Sequence, residues 1–553
     1  MSMTRLYLTL FILFFMSACS LSERQNESQR SLAAATSSPF WWKDSVFYEI
    51  FVRSFQDSNG DGIGDLKGIT KRLDYLAGLG IDGLWLTPVF LSNSYHGYDA
   101  IDYHSIDPAY GSDADFRELI TEAHNRGIKV ILDLALNHTS NKHPWFQKAL
   151  QDENSSEHAR YIFKPEIPPG WPPKSFTEVK RGSRHEFYYH VFSPGLPDLN
   201  WENQEVVSVV RDILHFWVNR GVDGFRLDAA RYYIEEEKAD DQGKKTVVTA
   251  DTPGTHAKIQ EFATELKDAF PNRDLFFVGE IFESMKTIST YVKSPNELDL
   301  AFNFPTSFAL IHSIQSGQAK AFTDAMSSGL SLGIAQDRLA PFTTNHDLVR
   351  IASQLDQNKQ KLALAATGLL TLPGTPFLYY GEEIGMPNTN PSQNDLGKRT
   401  PMLWEKGTNH GFTCVSCRPW NAFSIEDDAH TVEAQAGVKG SLLETYRTLI
   451  QNRKSIRSLR HGNLEVLKSA DPTIAVYLRR LHDETSLIIL NFGSNTSKEI
   501  QLSFDLGSLP SSGIRSQQLF GKGILGSVIA SQGKAQVSYQ ALPATSGAII
   551  QMK

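Results

Sequence analysis

Cysteine is nearly missing from this chain, with three in 553 residues. That leaves room for one intramolecular pair and excludes a disulfide-built scaffold. A long basic run is missing too. With 54 Lys and Arg against 62 Asp and Glu, the formal net charge is −8, and nucleic acid is not an expected partner. The apolar run from Leu6 to Met16 is too short to span a bilayer comfortably. What remains is ordinary for a soluble globular protein, 41% hydrophobic and 21% charged, and long enough for two or three domains.

The N-terminus differs from the rest. Arg5 precedes the apolar run, and Ser17-Ala18-Cys19 follows it, the pattern of a secretory signal. Met16-Ser-Ala-Cys19 also resembles the bacterial lipoprotein box, which implies lipidation at Cys19 of an exported protein; a plain signal peptide cut nearby is the alternative. Ser20 after that cysteine leans toward the outer membrane. Residues 20–38 are rich in Ser, Gln, Glu, Asn and Ala and read as a flexible tether. Cys414 and Cys417 remain as C-x-x-C. In an exported protein a local disulfide is favoured; a metal knuckle lacks two further ligands, and a redox motif lacks its βαβ setting.

From Trp42 onward, short apolar strands alternate with helical patterns. Strands are expected near residues 50, 85, 132, 225, 278, 301, 342 and 378. The first is read over Val46–Phe55, and single helices over Leu66–Leu79 and Asp113–Arg126. Eight β-α repeats predict a (β/α)8 barrel. Residues 142–200 break the pattern and read as an inserted subdomain after the third strand. After about residue 455 the texture turns to short alternating stretches, an antiparallel β-sandwich domain. The expected organisation is signal 1–18, tether 19–39, barrel 40–141, insert 142–200, barrel 201–455 and β-domain 456–553.

Asp228, Glu280 and Asp347 each end a predicted barrel strand, where such barrels place catalytic groups. In Gly224-Phe-Arg-Leu-Asp228, Arg226 and Asp228 share a face, and the guanidinium is expected to keep the carboxylate ionised. Glu280 follows an apolar strand, which is expected to keep it protonated. One ionised and one protonated carboxylate are the equipment of retaining glycoside cleavage. His138 and His346, each beside an Asn at a strand end, are candidate donors to sugar hydroxyls. Taken singly, each is as readily a structural histidine. In Asp57-Ser-Asn-Gly-Asp-Gly-Ile-Gly-Asp65, oxygen ligands at 57, 59, 61 and 65 suit a hard cation such as Ca2+, the alternative being an Asx-rich turn.

These motifs meet a known family. Asp133-Leu-Ala-Leu-Asn-His138, Gly224 to Arg231, Gly279-Glu280 and Thr344-Asn-His-Asp347 resemble the four core regions of the α-amylase superfamily, glycoside hydrolase family 13, and Leu196-Pro-Asp-Leu-Asn200 resembles its fifth. The resemblance implies Asp228 as nucleophile, Glu280 as general acid/base and Asp347 as transition-state stabiliser, with Arg226 orienting the nucleophile. It implies that Asp133, His138 and His346 contact the sugar and that Tyr98 is its stacking platform. It also implies a structural Ca2+ held by Asp57, Asn59, Asp61, Asp65 and the Ile63 carbonyl. Ala229 after the nucleophile and Leu196-Pro-Asp point to α-1,4-acting enzymes of the intermediate amylase subgroup. Arg231 and Tyr232 depart from the Lys-then-His that many amylases carry.

The expected protein is therefore a monomeric α-glucan hydrolase that touches the membrane only through a lipid anchor. An exo-acting α-glucosidase or transglycosylase uses the same intermediate and is the second reading. A non-catalytic glycan-binding protein would have lost carboxylates that are all present here.

Overall fold

Val46 to Ile50 are apolar except for Glu49, and Phe47–Ile50 form strand β1. It lies between two parallel neighbours, β2 (Gly83–Leu86) and β8 (Phe377–Tyr379). The remaining barrel strands are β3 (Lys129–Leu134), β4 (Gly224–Leu227), β5 (Phe276–Gly279), β6 (Leu300–Phe302) and β7 (Leu339–Ala340). All eight form one parallel sheet, and a bridge between Phe342 and Phe377 closes it into a barrel. Every expected strand is present. In this computed structural model, residues 40–181, 184–239, 241–389 and 395–553 are described. Cys19, the signal and the tether lie outside them. Among the described residues, no helix is long and apolar enough to cross a membrane.

Aromatic rings fill the barrel interior. Phe47 stacks on Phe377 at 4.5 Å, and Phe302 lies 5.0 Å from Phe377 and 5.3 Å from Trp85. Rings this large need backbone room. A Cβ on Gly83 would sit 2.4 Å from the Phe47 ring, so glycine there is a packing requirement.

Two elements differ from expectation. The strand begun at Phe47 stops at Ile50, and Val52–Ser54 form a 3-10 turn that swings the chain into the 57–65 loop. The helix expected over Leu66–Leu79 is two, Leu66–Lys71 and Leu73–Leu79. At the break, Arg72 donates to Gln56 Oε1 at 2.6 Å and lies over Trp404, contacts that outweigh continuing the helix. The helix Asp113–Asn125 begins with a Ser112–Asp115 capping box.

Residues 142–200 carry the helix Pro144–Gln151 and a three-stranded antiparallel sheet of Phe163–Lys164, Arg184–Tyr189 and Phe176–Arg181. The bridge from His138 to Asp198 ties this insert to the end of β3. A hairpin not foreseen from sequence, Glu236–Ala239 with Lys245–Val248, follows β4. Trp171 of the insert donates to Glu237 on it at 3.2 Å. At the C-terminus, a five-stranded and a three-stranded antiparallel sheet enclose a separate core of Ile474, Val476, Leu487, Val537 and Ile550. The buried Arg479 joins this sandwich to the barrel by donating to the Thr371 carbonyl at 2.9 Å.

Candidate active site

β3, β4 and β5 run side by side, so their C-terminal ends deliver Asp133, Arg226, Asp228 and Glu280 to one place. The backbone ladder continues past the strands: Asp228 N donates to Leu134 O at 3.0 Å, and Glu280 N to Leu227 O at 3.1 Å. That fixes both carboxylates before any side-chain contact is made. Ala229 has a φ of 49°, a left-handed turn immediately after Asp228 that ends the strand sharply. A β-branched residue would tolerate it less well.

Arg226 is the hub. Its Nη1 donates to Asp228 Oδ1 at 2.6 Å and to Asp133 Oδ1 at 2.8 Å. Its Nη2 makes a charge contact with Glu280 Oε2 at 2.8 Å. The Trp85 and Tyr98 rings flank the guanidinium at 5.2 and 5.8 Å. Burial works to lower the Arg226 pKa, and Asp133, Glu280, Tyr98 and Asp228 outweigh it, so the group stays charged.

Burial also dominates the two strand-end acids. Glu280 is pushed up to about 7 by desolvation, against the pull of Arg226, as its apolar setting predicts. At Asp228 desolvation exceeds the Arg226 attraction, and Asp133 and Asp347 add to it. The pKa is raised to about 6 where Arg226 is expected to lower it, and the carboxylate is still ionised near pH 7. Its ionised form therefore prevails only above about 6. Asp347 is the opposite case. Burial would raise it, but His346 and Arg399 outweigh burial and hold it well below the usual carboxylate range. Its carboxylate accepts from Arg399 Nη2 at 2.8 Å and lies 3.1 Å from His346 Nε2. Its side chain is 43% exposed.

The three expected sugar contacts, Asp133, His138 and His346, are all buried. Asp133 is fully buried, with Oδ2 taken by Trp85 Nε1 at 3.0 Å and the Tyr98 hydroxyl at 2.8 Å. Its part in this structure is to hold Arg226 and Tyr98. His346 is also fully buried, Nδ1 on Glu49 at 2.5 Å and Nε2 beside Tyr98 OH at 2.7 Å. Asp347 and Glu49 outweigh burial and raise it to about 10, so it is an imidazolium that braces Asp347. Tyr98 stacks on His346 at 5.4 Å and is half-buried. His138 is pushed down to about 4 by burial, so its ring is neutral near pH 7, and neither ring nitrogen has an aligned protein partner.

Sequence reasoning missed three groups here. Glu49 is the only charged residue within β1, a signal that was available. Arg399 lies far from any core motif and left no periodic trace. Phe192 and Phe282 are 49% and 55% exposed. Phe192 packs on His138 and Tyr232, and Phe282 comes two residues after Glu280. Arg231, which departs from the amylase pattern, is tied to Asp251 at 2.6 and 2.9 Å.

The 57–65 loop lies apart from the acids. Asp57 Oδ1 accepts from the backbone of Asn59 and Gly60, and Oδ2 from Gly62. Asp61 Oδ1 accepts from Ile63 N, and Asp65 Oδ2 from Ser58 N. Burial raises the Asp65 pKa despite those backbone donors. No Lys or Arg pairs with Asp57, Asp61 or Asp65 among the described ion pairs; backbone amides, the Asn59 side-chain amide and the Thr413 hydroxyl donate to them instead. Among the described residues, no three His, Cys, Asp or Glu side chains converge as a metal cluster. The loop's donors include an amide and a backbone carbonyl, a hard-oxygen set that fits Ca2+.

A parallel eight-stranded barrel whose C-terminal mouth holds a protonatable and an ionisable carboxylate on one guanidinium is a glycoside hydrolase. A family model described as alpha amylase, catalytic domain, matches residues 49–462, and the chain belongs to the α-amylase family. Alpha-amylase 3 of Dictyoglomus thermophilum is 35% identical over 454 residues, covering 82% of this chain and 85% of its own length. The trehalose-6-phosphate hydrolase of Bacillus subtilis is 32% identical over 525 residues, covering 82% and 90%. The crystal structure of an alpha-amylase from H. orenii superposes with a TM-score of 0.74 at 32% identity, covering 92% of this chain and 99% of that one.

Proposed function

We propose that this enzyme is a retaining hydrolase of α-1,4 bonds in starch, glycogen or maltooligosaccharides. The observation that carries the retaining chemistry is the single guanidinium shared by Asp228 and Glu280. Carboxylates held by the two arms of one Arg stand close together, as in a retaining pair about 5–5.5 Å apart. Asp228, ionised, attacks the anomeric carbon while Glu280 donates its proton to the leaving oxygen; a covalent glycosyl-enzyme forms. Glu280, now a base, takes a proton from water, which releases the sugar with retention. Asp347, kept ionised by His346 and Arg399, stabilises the positive charge that develops on the ring.

An exo-acting or glycosyl-transferring enzyme shares every one of these steps. Relatives named trehalose-6-phosphate hydrolase and oligo-1,6-glucosidase keep that reading open beside the amylase one. A product profile decides: early mixed maltooligosaccharides from soluble starch mean endo action on α-1,4 bonds. Glucose alone, or products longer than the substrate, would overturn it in favour of the second reading. Silence on starch, maltoheptaose, isomaltose, sucrose and trehalose would revive a binding role.

Three further features belong to this proposal. The 57–65 loop binds a structural Ca2+ through Asp57, Asn59, Asp61, Asp65 and the Ile63 carbonyl. The mature protein begins at a lipidated Cys19 and is a monomer tethered to a bacterial outer membrane. Intact mass of the mature N-terminus tests the anchor, since an unmodified later start would sink it.

A further inference from the structure

The 57–65 loop is only half of a larger unit. Across from it runs segment 408–421, which contains Cys414 and Cys417, joined here as a disulfide. Asp57 N donates to Phe412 O at 3.0 Å, the Thr413 hydroxyl donates to Asp57 Oδ2, and Trp420 N donates to Gly62 O at 2.9 Å. The fit is close enough to dictate residue type. A Cβ on Gly62 would lie 2.0 Å from the Arg418 carbonyl, and one on Gly60 would lie 3.3 Å from Cys417 Sγ. Both glycines also have a φ of +86°.

The segment is held in a costly shape. Asn409 and His410 are both left-handed, with φ of 55° and 43°. Asn409 Nδ2 offsets this by donating to the carbonyls of Cys414 at 2.7 Å and Cys417 at 2.9 Å. Cys414 is exposed and Cys417 half-buried, so the bond is open to a thiol reagent.

We propose that the Cys414–Cys417 disulfide is a clasp on the cation loop: it holds segment 408–421 in the shape that presses Asp57, Gly60 and Gly62 into a cation-ready wrap. The inference rests on the reading of 57–65 as a calcium loop. With the disulfide closed, Thr413 and the Phe412 carbonyl fix Asp57, so little ordering is left for the cation to impose. With the disulfide open, the strained turn at 409–410 relaxes and binding must restore it. Such coupling is reciprocal: whatever factor the disulfide adds to calcium affinity, calcium adds to the disulfide's resistance to reduction. Reduction by dithiothreitol is balanced. One reagent thiolate attacks a cysteine sulfur and displaces the other, the second reagent thiol closes the cyclic disulfide, and two electrons and two protons end on Cys414 and Cys417 as thiols.

The experiment measures both directions of the linkage on the whole purified protein. Calcium is titrated calorimetrically into the oxidised enzyme, the dithiothreitol-reduced enzyme and a Cys414→Ser/Cys417→Ser variant. In parallel, thiol labelling follows the reduction equilibrium with and without calcium. The reduced enzyme and the variant are expected to bind calcium roughly tenfold more weakly, and calcium to shift the reduction equilibrium by the same factor. Equal calcium affinity in oxidised and reduced protein overturns the clasp. If the oxidised protein takes up no calcium at all, the calcium reading falls and the clasp with it, a result distinct from binding that ignores the disulfide. Should the double variant fail to fold, the reduced wild-type protein still decides.

Discussion

Two groups of carboxylates, at the barrel mouth and in the 57–65 loop, are neutralised in opposite ways. At the barrel mouth, Asp133, Asp228, Glu280 and Asp347 meet cations that the chain itself supplies, Arg226, Arg399 and a charged His346. In the 57–65 loop, Asp57, Asp61 and Asp65 meet backbone amides. Fixed cations let the barrel tune each acid separately, one well below the usual range and two up to about 6 and 7. Neutral donors shape the loop without cancelling its charge, and the proposed Ca2+ would do that. Chemistry needs the first arrangement; a structural cation needs the second.

Breaking the barrel cluster gives the largest effects. Asp228→Asn removes the proposed nucleophile and Glu280→Gln the proposed proton donor, and each is expected to lower kcat by about 10^4-fold or more while the circular dichroism spectrum stays native. Near-normal turnover in either variant would undo the assignment. Arg226→Met leaves three carboxylates facing one another without their cation. A loss of about 3–5 kcal/mol is expected, read from denaturant unfolding, because removing one partner of a buried charge cluster strands the others. A variant as stable as the wild type would mean that the acids neutralise by protonation at little cost.

The loop responds to a different perturbation. A cation at about 100 times its Kd stabilises by about 2.7 kcal/mol, so chelation is expected to lower the melting temperature by roughly 3 °C. The Asp57→Ala variant should lose that response. A melting temperature indifferent to chelator would make the loop an Asx-rich turn and nothing more.

The two clusters were unequally legible in the sequence. The strand-end acids could be placed because a strand has a definite end and a parallel barrel has one working face. Asp228 and Glu280 therefore stand where Leu227 and Gly279 predict. What the sequence does not show is depth. Asp133 and His346 belong to the same motifs as the catalytic acids, yet the aromatic packing of Trp85 and Tyr98 buries both. Arg399 reaches Asp347 only through the chain's return after β8, a contact 52 residues away in sequence that no period marks. The C-terminal sandwich shows the same limit. Ile500–Asp505 alternates buried and exposed as a half-solvated strand should, whereas Glu484–Asn491 is buried along its whole length. One face of that strand packs on the sandwich core and the other toward the barrel, so alternation could not reveal it.

The pH dependence sharpens the comparison, because two acids of the barrel cluster are raised toward neutrality by burial. Asp228 must be ionised, so kcat/KM falls as pH drops through about 6. Glu280 must be protonated, so kcat/KM falls as pH rises through about 7. The expected profile is a narrow bell between these limits. Calcium should change its height through stability and leave the limbs where they are. A flat profile from pH 5 to 9 would show that burial does not set these two acids.

The smallest expected effect lies at the edge of the barrel cluster, on rings that carry no charge. Phe192, packed on His138, and Phe282, two residues after Glu280, expose about half their surface, and water is a poor neighbour for both. A glucose unit offers an apolar face that stacks on an aromatic ring, which would cover them. Phe192→Ala and Phe282→Ala are each expected to raise KM for maltoheptaose about fivefold, equivalent to about 1 kcal/mol, with kcat within twofold. That split matters more than its size. If kcat fell with KM unchanged, the rings would be acting on the transition state through Tyr232 and Phe304, which pack against them, and substrate stacking would be the wrong account.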